Sequence, residues 1–212
     1  MMRKKWCFFS LMMVGVSMTF MGCSTTELEE RCFPMMVAVG YEDGMVSYGV
    51  EFPKEEGEEN NKWNLAKKTS FVEAKTTYEN RLNKDADYNH LKVLVLEDDL
   101  LAKKTVYEEM LGVIAMTEEF PRNTYVCVVD DVEDFEEIRK RISQDLGTYL
   151  EEYLKKQEEK KNRLLTLGDL VDENENQAMV MYLPYLEMEE NFIEWKGYVN
   201  ISGKVWKESL LE

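Results

Sequence analysis

Two stretches of this chain, "HLKVLVLEDDLLAKKTVYEEML" from His90 and "NTYVCVVDDVEDFEEIRKRI" from Asn123, follow one pattern: a short, almost wholly apolar strand, an Asp-Asp pair, then a helical run. Side chains of a strand alternate between two faces, so a strand that is apolar at every position has no side to give to water. Such strands belong in a sheet covered by other elements on both faces, and parallel strands joined through helices supply that arrangement. The pattern predicts an α/β fold: a mixed β-sheet with flanking helices in a single domain.

The surrounding segments fit that plan. Met35 to Tyr41 and Met45 to Phe52 read as two strands joined at Glu42-Asp43-Gly44, because Asp-Gly supplies the positive φ that a tight hairpin turn requires. Residues 54 to 64, "KEEGEENNKWN", lack any apolar period and read as a solvated loop. Phe71, Ala74, Tyr78 and Leu82 recur at helical spacing, predicting a helix over Ser70 to Leu82. Phe135, Ile138, Ile142, Leu146, Tyr149 and Tyr153 form one stripe, predicting a helix that runs past Gly147 to about Lys161. A short helix over Leu164 to Val171 is expected to lead into the polar "DENENQ". A second hairpin is expected from Ala178 to Met188 and Phe192 to Trp206, with Ile193, Trp195, Val199, Ile201 and Val205 alternating against polar neighbours.

The amino terminus has a different character. Arg3, Lys4 and Lys5 precede an apolar run from Trp6 to Phe20, the order of an export signal, and the run is shorter than the roughly 20 residues of a membrane span. Phe20-Met21-Gly22-Cys23 looks like a bacterial lipobox, in which the cysteine thiol takes a diacylglyceryl group and becomes the first mature residue. The expected organisation is a lipoprotein signal peptide over residues 1–22, a lipidated spacer over 23–30 and one folded domain over 31–212. Two acyl chains, each CH₂ contributing about 0.8 kcal/mol when buried, hold a domain on a bilayer. With Arg3, Lys4 and Lys5 gone, the formal net charge of −16 becomes −19. A body so acidic is repelled by nucleic acid and by anionic headgroups, so the lipid supplies the membrane contact. Of four cysteines, only Cys32 and Cys127 remain to form a bridge, and their apolar surroundings read as two buried thiols.

The residues that could carry chemistry are few. Asp98, Asp99, Asp130 and Asp131 stand at the carboxyl ends of the two apolar strands, where open α/β sheets bind ligands, and carboxylates there could hold Mg²⁺. The stronger expectation is that they cap the helices that follow, since aspartate accepts hydrogen bonds from unpaired first-turn amides. His90, the only histidine, has no identifiable catalytic partner and reads as structural. No nucleophile elbow, zinc spacing or phosphate-cradling glycine loop occurs, so no cofactor is expected. Two other classes remain open on these residues: a metal-assisted extracytoplasmic hydrolase using the four aspartates, and a solute-binding lipoprotein, for which the chain is short.

Beyond the lipobox, the blocks "ELEERCFPMMVAVGYEDGMVSYGVEFP", "YNHLKVLVLEDDLLAKKTVYEEMLGVIAMTEEFPRNTYVCVVDD", "GTYLEEYL" and "AMVMYLPYLEM" resemble the N-terminal domain of the Ger(x)C family, the C-subunit lipoproteins of bacterial spore germinant receptors. The resemblance covers about residues 20 to 206. It is strongest from Tyr88 to Asp131, where Tyr88, His90, Leu91, Lys92 and Val93 fall as in the family's His-Leu-Lys strand and Pro121, Arg122, Asn123 and Tyr125 near its second strand. It implies a non-enzymatic lipoprotein on the outer face of the spore inner membrane, acting with integral-membrane A- and B-type subunits in the response to small nutrients. Family members usually carry further domains, so a short form or a homologue with a reduced role is expected.

Overall fold

The computed structural model describes residues 28–54, 63–133, 135–160, 162–176, 182–189, 192–200 and 205–207. The chain divides into two units, Met1–Arg31 and Cys32–Glu212. In the first unit a single 3-10 turn, Leu28–Glu30, is described. The second holds the α/β fold.

That fold starts where β1 (Arg31–Cys32) ends, with the Asp87 amide, next to β5 (Asp85–Ala86), donating to the Cys32 carbonyl at 2.8 Å. The expected first hairpin is present as β2 (Met36–Glu42) and β3 (Met45–Glu51), paired antiparallel. Its turn residues Asp43 and Gly44 have φ of 50° and 82°, the left-handed geometry that matches the twist of the two strands. β4 (Leu65–Lys68) adds to β3, and α1 (Phe71–Glu79) follows, with Ser70 as its cap. Ser70 Oγ accepts the Glu73 amide at 3.3 Å, and Phe71, Ala74 and Tyr78 face the core as the spacing predicts. The helix stops at Glu79, so Leu82 packs from beyond its end.

The two apolar segments form β6 (Val93–Glu97) and β7 (Tyr125–Val129), parallel to each other, and β6 is also parallel to β2. Between β6 and β7 lie α2 (Asp98–Ala102) and α3 (Lys104–Thr117). After β7 come α4 (Phe135–Arg141), α5 (Leu146–Glu159), β8 (Leu165–Thr166) and α6 (Leu167–Asn176). The chain then forms β9 (Tyr182–Glu189), β10 (Phe192–Asn200) and β11 (Val205–Lys207). The order across the described sheet is β11-β10-β9-β7-β6-β2-β3-β4, with β8 also against β7. This is the mixed β-sheet with flanking helices that the residue pattern predicts.

The physical basis of the apolar strands is visible in the two cores. Val37, Val39, Leu94, Leu96, Val126 and Val128 face one side, under α1, α2, α3 and α6. Met36, Ala38, Val93, Val95, Cys127 and Val129 face the other, under α4 and α5. Every second residue therefore serves a different core, and neither set meets water.

Three expectations need correction. The long second helix is two helices, broken between Arg141 and Leu146, where Asp145 accepts the Thr148 amide at 2.7 Å and starts a new helix. Gly147 lies so close to the Met35 carbonyl that a Cβ would stand 2.7 Å from it, so packing against β2 sets where α5 begins. The helix expected over Leu164 to Val171 is shifted to Leu167–Asn176, taking in most of the supposed polar loop. Leu165 and Thr166 are instead drawn into the sheet beside β7, and Asp169 Oδ2 accepts the Thr166 amide (2.9 Å) and hydroxyl (2.7 Å). Finally, the pairing of β10 with β9 slips between Trp195 and Gly197. Ile193 consequently faces the core under α4 and α5 while Val199, of the same parity, faces the opposite core. Ile201 and residues 178–181 lie outside the described residues.

Candidate site at the carboxyl ends of the parallel strands

An acid that closes an otherwise apolar strand is carried to the strand's carboxyl end with its backbone locked in the sheet. Glu97 is that residue in β6, and only 8% of its surface is exposed. Its Oε2 accepts the Tyr41 amide at 2.7 Å, and its Oε1 accepts the Val132 amide at 3.3 Å. One side chain thus joins the end of β2 to the connection after β7. Room for it comes from Gly40, where a Cβ would stand 2.6 Å from Glu97 Oε2 and 2.6 Å from Ser47 Oγ.

Glu97 forms the floor of a cleft of about 120 Å³. One wall is Tyr41, Glu42, Ser47 and Lys67; the other is Asp99, Asp130, Asp131 and Glu133. Six carboxylates thus share the cleft with one ammonium. Lys67 Nζ bridges Glu42 at 3.0 Å and Glu133 at 2.5 Å, and these two partners hold its ammonium well above the usual lysine range. Burial pushes the Glu97 carboxyl up to about 7; the Tyr41 and Val132 amides pull it down, and the charges of Asp131 and Asp99 add to the upward push. Asp98 is raised by burial first and then by Asp99 and Asp130.

Of the four aspartates singled out in the sequence, Asp99, Asp130 and Asp131 meet in the cleft and Asp98 lies outside its lining; they do not act as helix caps. Asp98 and Asp99 occupy the first turn of α2 behind Glu97, which holds the cap position without a side-chain bond. There they still meet the positive end of the short helix. Asp131 accepts the Glu133 amide at 2.7 Å, a local turn that re-aims the chain before α4. Asp130 accepts the Tyr185 hydroxyl and so ties β9 to the same rim. Among the described residues no three His, Cys, Asp or Glu side chains gather so as to hold a metal ion. Sequence reasoning missed Glu97, Lys67, Glu42 and Glu133; for Glu97 the available signal was its place as the one charged residue in "VLVLE".

The remaining candidates lie elsewhere. His90 is exposed and stands edge-to-face against Phe33, with ring centres 5.0 Å apart. It precedes β6 while Glu97 ends it, and five strand residues at about 3.3 Å each separate the two by the length of the strand. Cys127 is buried and burial pushes its thiol up to about 12, whereas Cys32 is half-buried and donates weakly to the Lys84 and Asp85 carbonyls; both are free thiols. Cys23 lies outside the described residues. No helix among the described residues is long and apolar enough to cross a membrane.

What the fold and cleft define is a mixed α/β domain with a carboxylate-lined pocket at its strand ends. A family model described as "Spore germination protein N-terminal domain" matches residues 24–188. The chain belongs to that family, the Ger(x)C proteins of spore germination. No curated protein and no solved structure matches it in comparison.

Proposed function

We propose that this chain is a non-enzymatic, lipid-anchored subunit of a spore germinant receptor. The observation that carries the reading is the family match, which begins at residue 24, directly after the lipobox cysteine. Cys23 takes the lipid, residues 1–22 direct export, and the α/β domain stands on the extracytoplasmic face of the spore inner membrane. There it works with integral-membrane A- and B-type subunits in the response to small nutrients. The acidic surface suits a body held beside a bilayer by acyl chains and not by headgroup contact.

The test is to tag the carboxyl terminus, isolate dormant-spore inner membranes, solubilise them gently and identify the co-purifying proteins by mass spectrometry. Recovery with A- and B-type germination subunits is the expected result. Absence from spores, or recovery only with unrelated envelope proteins, overturns the receptor reading and leaves the family fold standing.

A further inference from the structure

The Glu97 carboxylate is enclosed, spans two chain connections, and has no lysine or arginine partner among the described residues. Its hydrogen bonds run to the Tyr41 amide on β2 and the Val132 amide after β7. The one ammonium in the cleft, Lys67, is engaged by Glu42 on β2 and Glu133 after β7. The other charged groups facing the cleft are Asp99 from the first turn of α2 and Asp130 and Asp131 from the β7 end; Tyr41 lines it too, with Lys103 Nζ 5.7 Å from its ring centre. A buried carboxyl with carboxylates around it and its compensating cation committed elsewhere is poised to change the local balance by gaining or losing one proton.

We propose that Glu97 is a proton-responsive clasp that couples the β2–β3 hairpin to the connection between β7 and α4. Ionised, its two oxygens accept both amides but repel Asp99 and Asp131, so the cleft mouth is under electrostatic tension. Protonated, it no longer repels Asp99 and Asp131 while an oxygen still accepts an amide, and that tension is relieved. The proton comes from solvent at the mouth and returns there, with no other group oxidised or reduced. Gly40 makes the device possible, since any side chain there would occupy the clasp's place. Rising pH through neutrality therefore loosens the rim at the carboxyl ends of the strands, which is the end where α/β sheets present their binding surface.

The test is a pH titration of the full chain followed by amide NMR. The Tyr41 and Val132 amides are expected to shift together, with a common midpoint near 7, the value to which burial raises Glu97. In Glu97→Gln both shifts should vanish. Separate midpoints, a midpoint in the ordinary carboxylate range, or shifts that persist in Glu97→Gln overturn the proposal. Should that variant fail to fold, Asp131→Asn keeps an oxygen for the Glu133 amide and removes the charge that most strongly adds to burial. It is expected to lower the common midpoint, and an unchanged midpoint overturns the proposal equally.

Discussion

Arg139 Nε donates to Glu51 Oε1 at 2.9 Å, while Glu51 Oε2 accepts the Gly147 amide at 2.8 Å, so a carboxylate from the first hairpin fills the break between α4 and α5. Glu51 has no exposed surface; burial raises its carboxyl, and Arg139 is the leading influence that opposes the rise. Lys54 closes the same end by donating to the Arg139 and Ile142 carbonyls at 3.0 and 2.8 Å. Arg139→Ala strips the partner from a buried charge and is expected to lower unfolding stability by about 3–5 kcal/mol, read from urea midpoints. Glu51→Gln together with Arg139→Met should cost clearly less, because no unpaired charge remains. Equal losses in both variants would count against the pair as the cause.

Glu97 also makes stability depend on pH. Its ordinary value is 4.5 and its folded value about 7, so the folded state holds the proton more tightly than the unfolded chain. The contribution to stability is complete below 4.5 and is lost as pH rises through 7. Wild-type urea midpoints should fall between pH 5 and pH 8, and Glu97→Gln should flatten that fall. A slope of opposite sign, or one unchanged in the variant, removes Glu97 as its source.

Gly40→Ala puts a methyl group into contact with both Glu97 and Ser47. Overpacking of a buried site typically costs about 1–3 kcal/mol, so a reduced thermal midpoint is expected. The loss should shrink when Ser47→Gly is added, which separates crowding from a backbone effect; Gly40 has no positive φ to defend.

Asp145→Ala removes the acceptor of the Thr148 amide at the start of α5. A lost cap costs about 1 kcal/mol, and Asp145→Asn should recover most of it. Hydrogen exchange in the first turn of α5 reads the effect locally.

Cys23→Ala, if Cys23 carries the lipid, should move the protein from membrane to soluble fractions with its fold unchanged by circular dichroism. Full membrane retention of that variant would sink the anchor reading.

Much of the fold was legible because it depends on local rules. Asp43-Gly44 specified its hairpin by backbone geometry, Ser70 its helix by an amide acceptor, and β6 and β7 their burial by having no polar face. What escaped prediction involved residues far apart in the chain. The break at Asp145 depends on Glu51 and Met35, roughly a hundred positions earlier. The start of α6 depends on β8 finding the free side of β7. The face exchange in β10 follows from a slipped register that no single-strand pattern contains.

The cleft divides the same way. That aspartates would stand at strand ends follows from residue order alone, because a strand directs what comes after it to one end of a sheet. The α/β class could likewise be read from short blocks of residues, since apolar period and turn chemistry act over a few positions. The state of Glu97 could not. A carboxyl's proton affinity is set by burial and by the charges around it, and Gly40, Asp131 and the Val132 amide reach Glu97 only when β2, β6 and β7 lie side by side. Sequence determined which groups arrive at that end of the sheet, and tertiary structure decided which of them is enclosed, because desolvation belongs to the packed assembly and to no residue by itself.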